Sequence, residues 1–89
     1  MVERELEIVN ELGLHARAAA KLVHMASGFK SHVAVVSRGE EVDAKSILGL
    51  LLLAAPIGSR LIVRCDGPDQ AAALEAIAAL VADRFGEGR

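Results

Sequence analysis

Apolar residues occupy every second position in residues 60–66, namely Leu61, Val63 and Cys65, and most of the remaining positions are charged. Because successive side chains of a strand point to opposite faces, this pattern predicts a strand with one face on the core and one in water. Leu6 and Ile8 alternate with glutamates in the same way and predict a first strand at residues 2–9. Such strands are typical of a sheet that is covered on one face only.

Helix-forming runs lie between the strand patterns. From Ala16 the chain is rich in alanine, and Gly28 is expected to end this first helix. The spacing predicts that one stripe of the helix is buried, consisting of Ala19, Leu22, Val23 and Ala26. A second, short helix is expected after Ser46 as its N-cap, and a third is expected to begin after Asp69 as a candidate cap and to run to about residue 85.

The remaining pattern is a tight hairpin. Residues 32–36 are apolar and β-branched, and residues 37–40 predict a turn into a short strand at 41–43. The full order is therefore βαββαβα. This order predicts an α+β open-faced sandwich, with a four-stranded antiparallel sheet covered on one face by three helices. At 89 residues we expect one domain, residues 1–89.

Composition limits the classes of partner. A net charge of −2 and an aromatic content of 2% argue against nucleic acid as a ligand. One cysteine excludes an internal disulfide, and residues 1–5 lack the features of a signal peptide. The longest apolar run, residues 47–57, is too short to cross a membrane as a helix. We expect a cytoplasmic protein without membrane insertion whose partners are other proteins.

A candidate site lies where the loop before the first helix ends. The run Gly13-Leu14-His15-Ala16-Arg17-Ala18-Ala19 places a nucleophilic imidazole at the helix start and a guanidinium two residues later. Unpaired N–H groups and the positive end of the helix dipole favour an anion there, and arginine suits phosphate oxygens. This pattern is compatible with a phosphoryl group bound covalently to His15, and also with an anionic metabolite held noncovalently.

Gly-Leu-His-Ala-Arg before an alanine-rich helix resembles the HPr family of histidine-containing phosphocarriers of the bacterial phosphotransferase system. A second motif, residues 43–49, resembles the regulatory-serine region of that family, and Asp66-Gly67 also matches. The resemblance implies that His15 accepts a phosphoryl group on Nδ1 from enzyme I and passes it to a histidine of an enzyme IIA domain. It further implies that Arg17 stabilises the phosphoryl group and that an HPr kinase/phosphorylase acts on Ser46.

The second helix contains more apolar residues than one short helix can bury. We expect Leu50 and Leu53 to serve the core, and the others to form an exposed surface where partners dock. The expected docking residues are Ala16, Ala20, Ile47, Leu48 and Leu51.

No metal or other cofactor is expected. The spacing of the histidines and Cys65 is not that of metal ligands. We expect His24 and His32 to be surface or structural residues. Cys65 lies on the apolar parity of its strand and is expected to be a small buried residue. We expect a monomeric carrier without independent turnover. A regulatory binding protein of the same family, for example in a nitrogen-related branch, is the alternative within the family.

Overall fold

The computed structural model describes residues 1–89. Four strands, three α-helices and one 3₁₀ turn follow one another in the expected order. They are β1 (Val2–Glu7), α1 (Ala16–Ser27), β2 (His32–Ser37), β3 (Glu40–Asp43), α2 (Ile47–Leu53), β4 (Arg60–Asp66), α3 (Gln70–Ala82) and the 3₁₀ turn Arg84–Gly86. The predicted βαββαβα order and α+β class are confirmed.

The four strands form one sheet in the order β1-β4-β2-β3, and every neighbouring pair is antiparallel. β4 is therefore an inner strand, with β1 on one side and β2 on the other. Val63 lies opposite Arg4 in β1 and opposite Val35 in β2. The strand with the clearest alternation in the sequence is thus one that pairs along both edges.

The two faces of the sheet differ as the alternation predicts. Leu61, Val63 and Cys65 are buried on the covered face. On the open face, Arg64 donates to Glu3 at 2.8 Å and to Glu41 at 3.1 Å, which joins β1, β4 and β3. Because these ion pairs are largely exposed, they add little free energy, but they keep the open face charged.

The helices cover the apolar face and share one hydrophobic core with it. α1 packs against α2 and α3, α3 packs against β1 and β4, and α2 packs against β3. Phe85 is the only aromatic residue of the buried core, and it is fully buried. In α1 the buried stripe contains Ala18, Ala19, Leu22 and Ala26. Val23, which the spacing placed in the stripe, is only half-buried.

Two element ends differ from the predictions by two residues or more. β1 ends at Glu7, two residues early, because Ile8 leaves the strand pairing and donates its N–H to the carbonyl of Ser59. α3 ends at Ala82, because Arg84 and Phe85 adopt left-handed backbone conformations with φ of 55° and 53°. Asp69 precedes α3 but makes no side-chain cap bond to it. No helix of the structure has both the length and the hydropathy to cross a membrane.

Candidate functional site

His15 is the N-cap of α1, and its ring makes a contact at each nitrogen. Nδ1 accepts a hydrogen bond from the backbone N–H of Arg17 at 3.2 Å. Nε2 contacts a carboxylate oxygen of Glu87. The imidazole is 25% exposed. Glu87 therefore covers one edge of the ring.

The loop before His15 is fixed by a close backbone contact. Gly13 has φ of +68°, and a Cβ at this position would lie 2.6 Å from the carbonyl oxygen of Ala55. Leu14 donates its N–H to the same oxygen at 2.8 Å, and its side chain is buried. Glycine is therefore required at position 13 both for its backbone conformation and for its lack of a side chain. This contact sets the direction in which the chain enters α1.

The start of α1 offers backbone donors beside the ring. The first helical hydrogen bond runs from the N–H of Ala19 to the carbonyl of His15 at 2.8 Å. The earlier N–H groups thus have no carbonyl partner within the helix, and those of Ala16 and Arg17 belong to exposed residues. With the positive end of the helix dipole, these donors favour a negative group near Nδ1.

Arg17 lines a groove of about 390 Å³ next to this helix start. Lys21 and Arg89 also line the groove, as do Glu11 and Glu87. The structure therefore brings the predicted Arg17 to the same surface as the carboxylate that contacts His15. The three basic side chains give this part of an otherwise slightly acidic protein a local positive charge.

Glu87 and Asn10 are site residues that the sequence reading did not identify. Asn10 is fully buried, and its Nδ2 donates to the carbonyl of Gly13 at 2.7 Å and to Glu87 at 2.9 Å. Burial acts to raise the pKa of Glu87, but hydrogen bonds from Asn10 and His15 and the positive charge of Lys21 lower it overall. Gly86 could have indicated that the chain reverses after the last helix. No feature of the neighbouring sequence indicated that this reversal brings Glu87 into contact with His15.

Ser46 caps α2, as the sequence predicts. Its Oγ accepts the N–H of Gly49 at 3.2 Å. Leu50 and Leu53 are buried, as expected. The three apolar residues predicted to remain outside the core are exposed: Ile47 by 44%, Leu48 by 65% and Leu51 by 38%. Leu52, which was predicted to lie outside the core but was not named as a docking residue, is also exposed.

The other predicted residues lie as follows. Ala16 and Ala20 are exposed on α1, and α1 packs against α2. His24 and His32 are exposed at separate positions. Cys65 is buried in β4, and burial together with the charge of Asp69 raises the pKa of its thiol. No group of three histidine, cysteine or carboxylate side chains is arranged to hold a metal ion.

Comparison with known proteins gives consistent likenesses over nearly the whole chain. The family described as "PTS HPr component phosphorylation site" matches residues 2–83. The phosphocarrier protein HPr of Cupriavidus necator is 52% identical over 88 residues, which cover 99% of each chain. The phosphocarrier protein NPr of Shewanella violacea is 44% identical over 86 residues, which cover 97% of this chain and 94% of that one. The crystal structure of HPr-C-His from Thermoanaerobacter tengcongensis matches with a TM-score of 0.95 at 39% identity, covering 98% of both chains.

Proposed function

The chain belongs to the HPr family of the phosphotransferase system, and on this premise we propose that His15 carries a phosphoryl group between two partner proteins. It accepts the group from enzyme I and passes it to a histidine of an enzyme IIA domain. The observation that carries the proposal is the position of Nδ1, which accepts a backbone N–H at the start of α1. An accepting nitrogen has a lone pair, and a lone pair is what attack on phosphorus requires.

The helix start supports both loading and release of the group. When Nδ1 bonds to phosphorus, its lone pair is no longer available to the Arg17 N–H, which can then donate to a phosphoryl oxygen. Helix-terminus effects are about 0.3 to 1 kcal/mol, and about 2 kcal/mol in favourable geometry. Stabilisation of this size holds the group without trapping it, so the protein acts as a carrier without independent turnover.

Arg17 is the proposed side-chain stabiliser of the phosphoryl group. Its guanidinium is always charged, and it lines the groove beside the helix start. We expect Arg17→Glu to slow phosphoryl transfer by at least about tenfold, because one charge-assisted hydrogen bond of about 1.5–3 kcal/mol is replaced by repulsion. The melting temperature should change little, since Arg17 is exposed. Arg38→Glu, at an exposed hairpin residue, is the matched control, and an equal loss of transfer in both variants would contradict the role of Arg17.

The acceptor itself is tested with enzyme I and phosphoenolpyruvate. The wild-type protein should take up one phosphate that is labile in acid and stable in base, and mass spectrometry under alkaline conditions should locate it on His15. His15→Ala should take up none. His24→Ala and His32→Ala are matched controls at exposed histidines and should be labelled normally. Label that persists in His15→Ala would refute the assignment.

The docking surface proposed for both partners combines the exposed sides of α1 and α2. Its residues are Ala16, Ala20, Ile47, Leu48 and Leu51. Small residues on α1 allow close approach to the helix that bears His15, and the exposed apolar residues of α2 give a partner surface to bury. A carrier that meets both partners through one face works as a single-domain monomer, and we propose this state in the cytoplasm.

We further propose that Ser46 regulates docking when an HPr kinase/phosphorylase phosphorylates it. A phosphate would add about −1.5 to −2 charges at the edge of the apolar surface of α2. Ser46→Asp should therefore weaken binding to enzyme I, measured by calorimetry. Ser46→Asn keeps a capping side chain without the charge and should bind normally. Equal affinity of the two variants would argue against electrostatic regulation.

The likeness to an NPr protein supports a second candidate within the family, a carrier of a nitrogen-related branch whose main output is regulatory binding. Phosphoryl acceptance from the sugar-branch and nitrogen-branch forms of enzyme I, compared at equal concentrations, separates the two. Faster loading by the nitrogen-branch enzyme would favour the second candidate. Absence of any phosphohistidine would instead favour noncovalent binding of an anionic metabolite.

A further inference from the structure

We propose that Glu87 is a positioning residue for His15, and that its carboxylate holds the ring proton on Nε2 so that the Nδ1 lone pair faces the incoming phosphoryl group. This inference rests on the proposed function, in which His15 is the acceptor. It assigns a role to a residue 72 positions away in the sequence.

The two contacts of the ring select one tautomer. A neutral imidazole has one N–H donor and one acceptor nitrogen, and an ionised carboxylate only accepts. Since Nε2 contacts the Glu87 carboxylate and Nδ1 accepts the Arg17 N–H, only the tautomer with its proton on Nε2 satisfies both partners. The other tautomer would set a lone pair against the carboxylate and an N–H against an N–H.

Glu87 is itself held in place on several sides. Its second oxygen accepts from Asn10 Nδ2 at 2.9 Å, and its side chain is only 9% exposed. The adjoining backbone is fixed by Phe85, whose ring is fully buried and whose carbonyl accepts from Lys21 Nζ at 2.5 Å. We call residues 84–87 the 84–87 segment. Because it is attached to the core and to α1, its carboxylate has little freedom to leave the ring.

With this arrangement, His15 can accept the phosphoryl group and pass it on without any change in the position of the ring proton. The Nδ1 lone pair forms the bond to phosphorus, the bond from phosphorus to the donor residue of enzyme I breaks, and the donor keeps that electron pair. The ring then has the phosphoryl group on Nδ1 and the proton on Nε2, and so gains a positive charge beside the carboxylate. When the group passes to enzyme IIA, the same bond breaks and the pair returns to Nδ1.

The test is a two-bond ¹H–¹⁵N correlation spectrum of the ¹⁵N-labelled protein at a pH of about 9, where an imidazole of ordinary pKa is neutral. In the wild type, His15 should show a single tautomer with the proton on Nε2. In Glu87→Ala it should shift toward a mixture, while His24 and His32 keep their signals. Glu11→Ala removes the same charge from the same groove without touching the ring, and should leave His15 unchanged.

A kinetic measurement extends the test. Glu87→Ala should load from enzyme I roughly two- to tenfold more slowly, in proportion to the fraction of ring that loses the competent tautomer. A wild-type ring with its proton on Nδ1, or a Glu87→Ala ring identical to the wild type, would overturn the proposal. The wild-type spectrum needs no variant to fold and uses no phosphoryl donor. A failure of the tautomer proposal can therefore be distinguished from a failure of the proposed carrier function.

Discussion

One carboxylate lies at each end of the packed helices α1 and α3, Asp69 at one end and Glu87 at the other, and the two bind different kinds of partner. At the Asp69 end, before α3 begins, Asp69 accepts from the N–H groups of Lys30 and Ser31, both at 2.9 Å, and from the Ser31 hydroxyl at 2.5 Å. At the His15 end, after α3, Glu87 contacts Asn10 and His15. The carboxylate at the Asp69 end therefore joins only structural groups, whereas the carboxylate at the His15 end also contacts the proposed nucleophile.

The backbone next to the two carboxylates is similar. Gly67 at the Asp69 end and Gly13 at the His15 end both have positive φ, and a Cβ on either would lie 2.6 Å from a backbone atom, of Ser31 and of Ala55 respectively. Both ends are thus set by a close contact that a side chain would block. What differs is the set of donors: only the Glu87 carboxylate contacts a reactive side chain, and this difference teaches that the proposed role of Glu87 depends on its partner, not on the carboxylate alone.

The largest effect is expected from Phe85→Ala, which removes the anchor of the 84–87 segment. Truncating this fully buried ring should lower the free energy of unfolding by about 3–5 kcal/mol, measured by urea denaturation. Leu52→Ala, at a residue 69% exposed, should cost less than about 0.5 kcal/mol. In Phe85→Ala the Ser31 amide should keep its hydrogen-exchange protection relative to the rest of the core. Selective loss there would mean that the two ends are coupled.

A smaller effect is expected from alanine at the two glycines. Gly13→Ala and Gly67→Ala should each lower the free energy of unfolding by about 1–3 kcal/mol from backbone strain, with a further loss from the blocked contact. Gly58→Ala is the matched control, because φ is +86° but no atom lies within 4 Å of its Cβ. Only Gly13→Ala should also slow phosphoryl acceptance. Equally slow phosphoryl acceptance in Gly13→Ala and Gly67→Ala would contradict the functional distinction between the His15 end and the Asp69 end.

The smallest effect concerns pH at the Asp69 end. Hydrogen bonds from the Ser31 side chain and the Lys30 backbone lower the pKa of Asp69 from 3.8 to about 2. Because the folded-state pKa is the lower one, the ionised carboxylate stabilises the fold above the ordinary pKa. This contribution is lost as the pH falls through the folded value. The difference in urea midpoint between wild type and Asp69→Asn should therefore be full above about pH 5 and shrink towards pH 2.

The control for this experiment is Asp83→Asn, at an exposed carboxylate that makes no side-chain cap bond. Its difference in midpoint from the wild type should stay flat over the same range. A difference for Asp69→Asn that persists unchanged at pH 2 would show that the carboxylate is not the stabilising group.

The sequence predicts those features that depend on neighbouring residues. Strand alternation and helical spacing gave the element order, and Ser46 was identified as a cap because its partner, Gly49, is three residues away. Asp69 was assigned as a cap by the same local reasoning. The position was correct, since α3 begins directly after Asp69, but its carboxylate makes no cap bond and instead binds residues 38 and 39 positions earlier.

In the candidate site, His15 and Arg17 could be found because they share one motif. Glu87 could not, because its contact with His15 depends on where α3 stops. That end is set by the left-handed conformations of Arg84 and Phe85, and neither residue type favours such a conformation. The role of the buried Asn10 could not be predicted either, since its two acceptors, the Gly13 carbonyl and the Glu87 carboxylate, become neighbours only after folding.

The inner position of β4 has a consequence for synthesis on the ribosome. β1 and β2 do not pair with each other, and each needs β4 as its neighbour. While residues 60–66 are still inside the exit tunnel, β1 has no partner and β2 has only the short β3. The nascent chain therefore exposes unpaired strands until most of it has emerged, and sheet formation is a late step in which distant segments are joined at once.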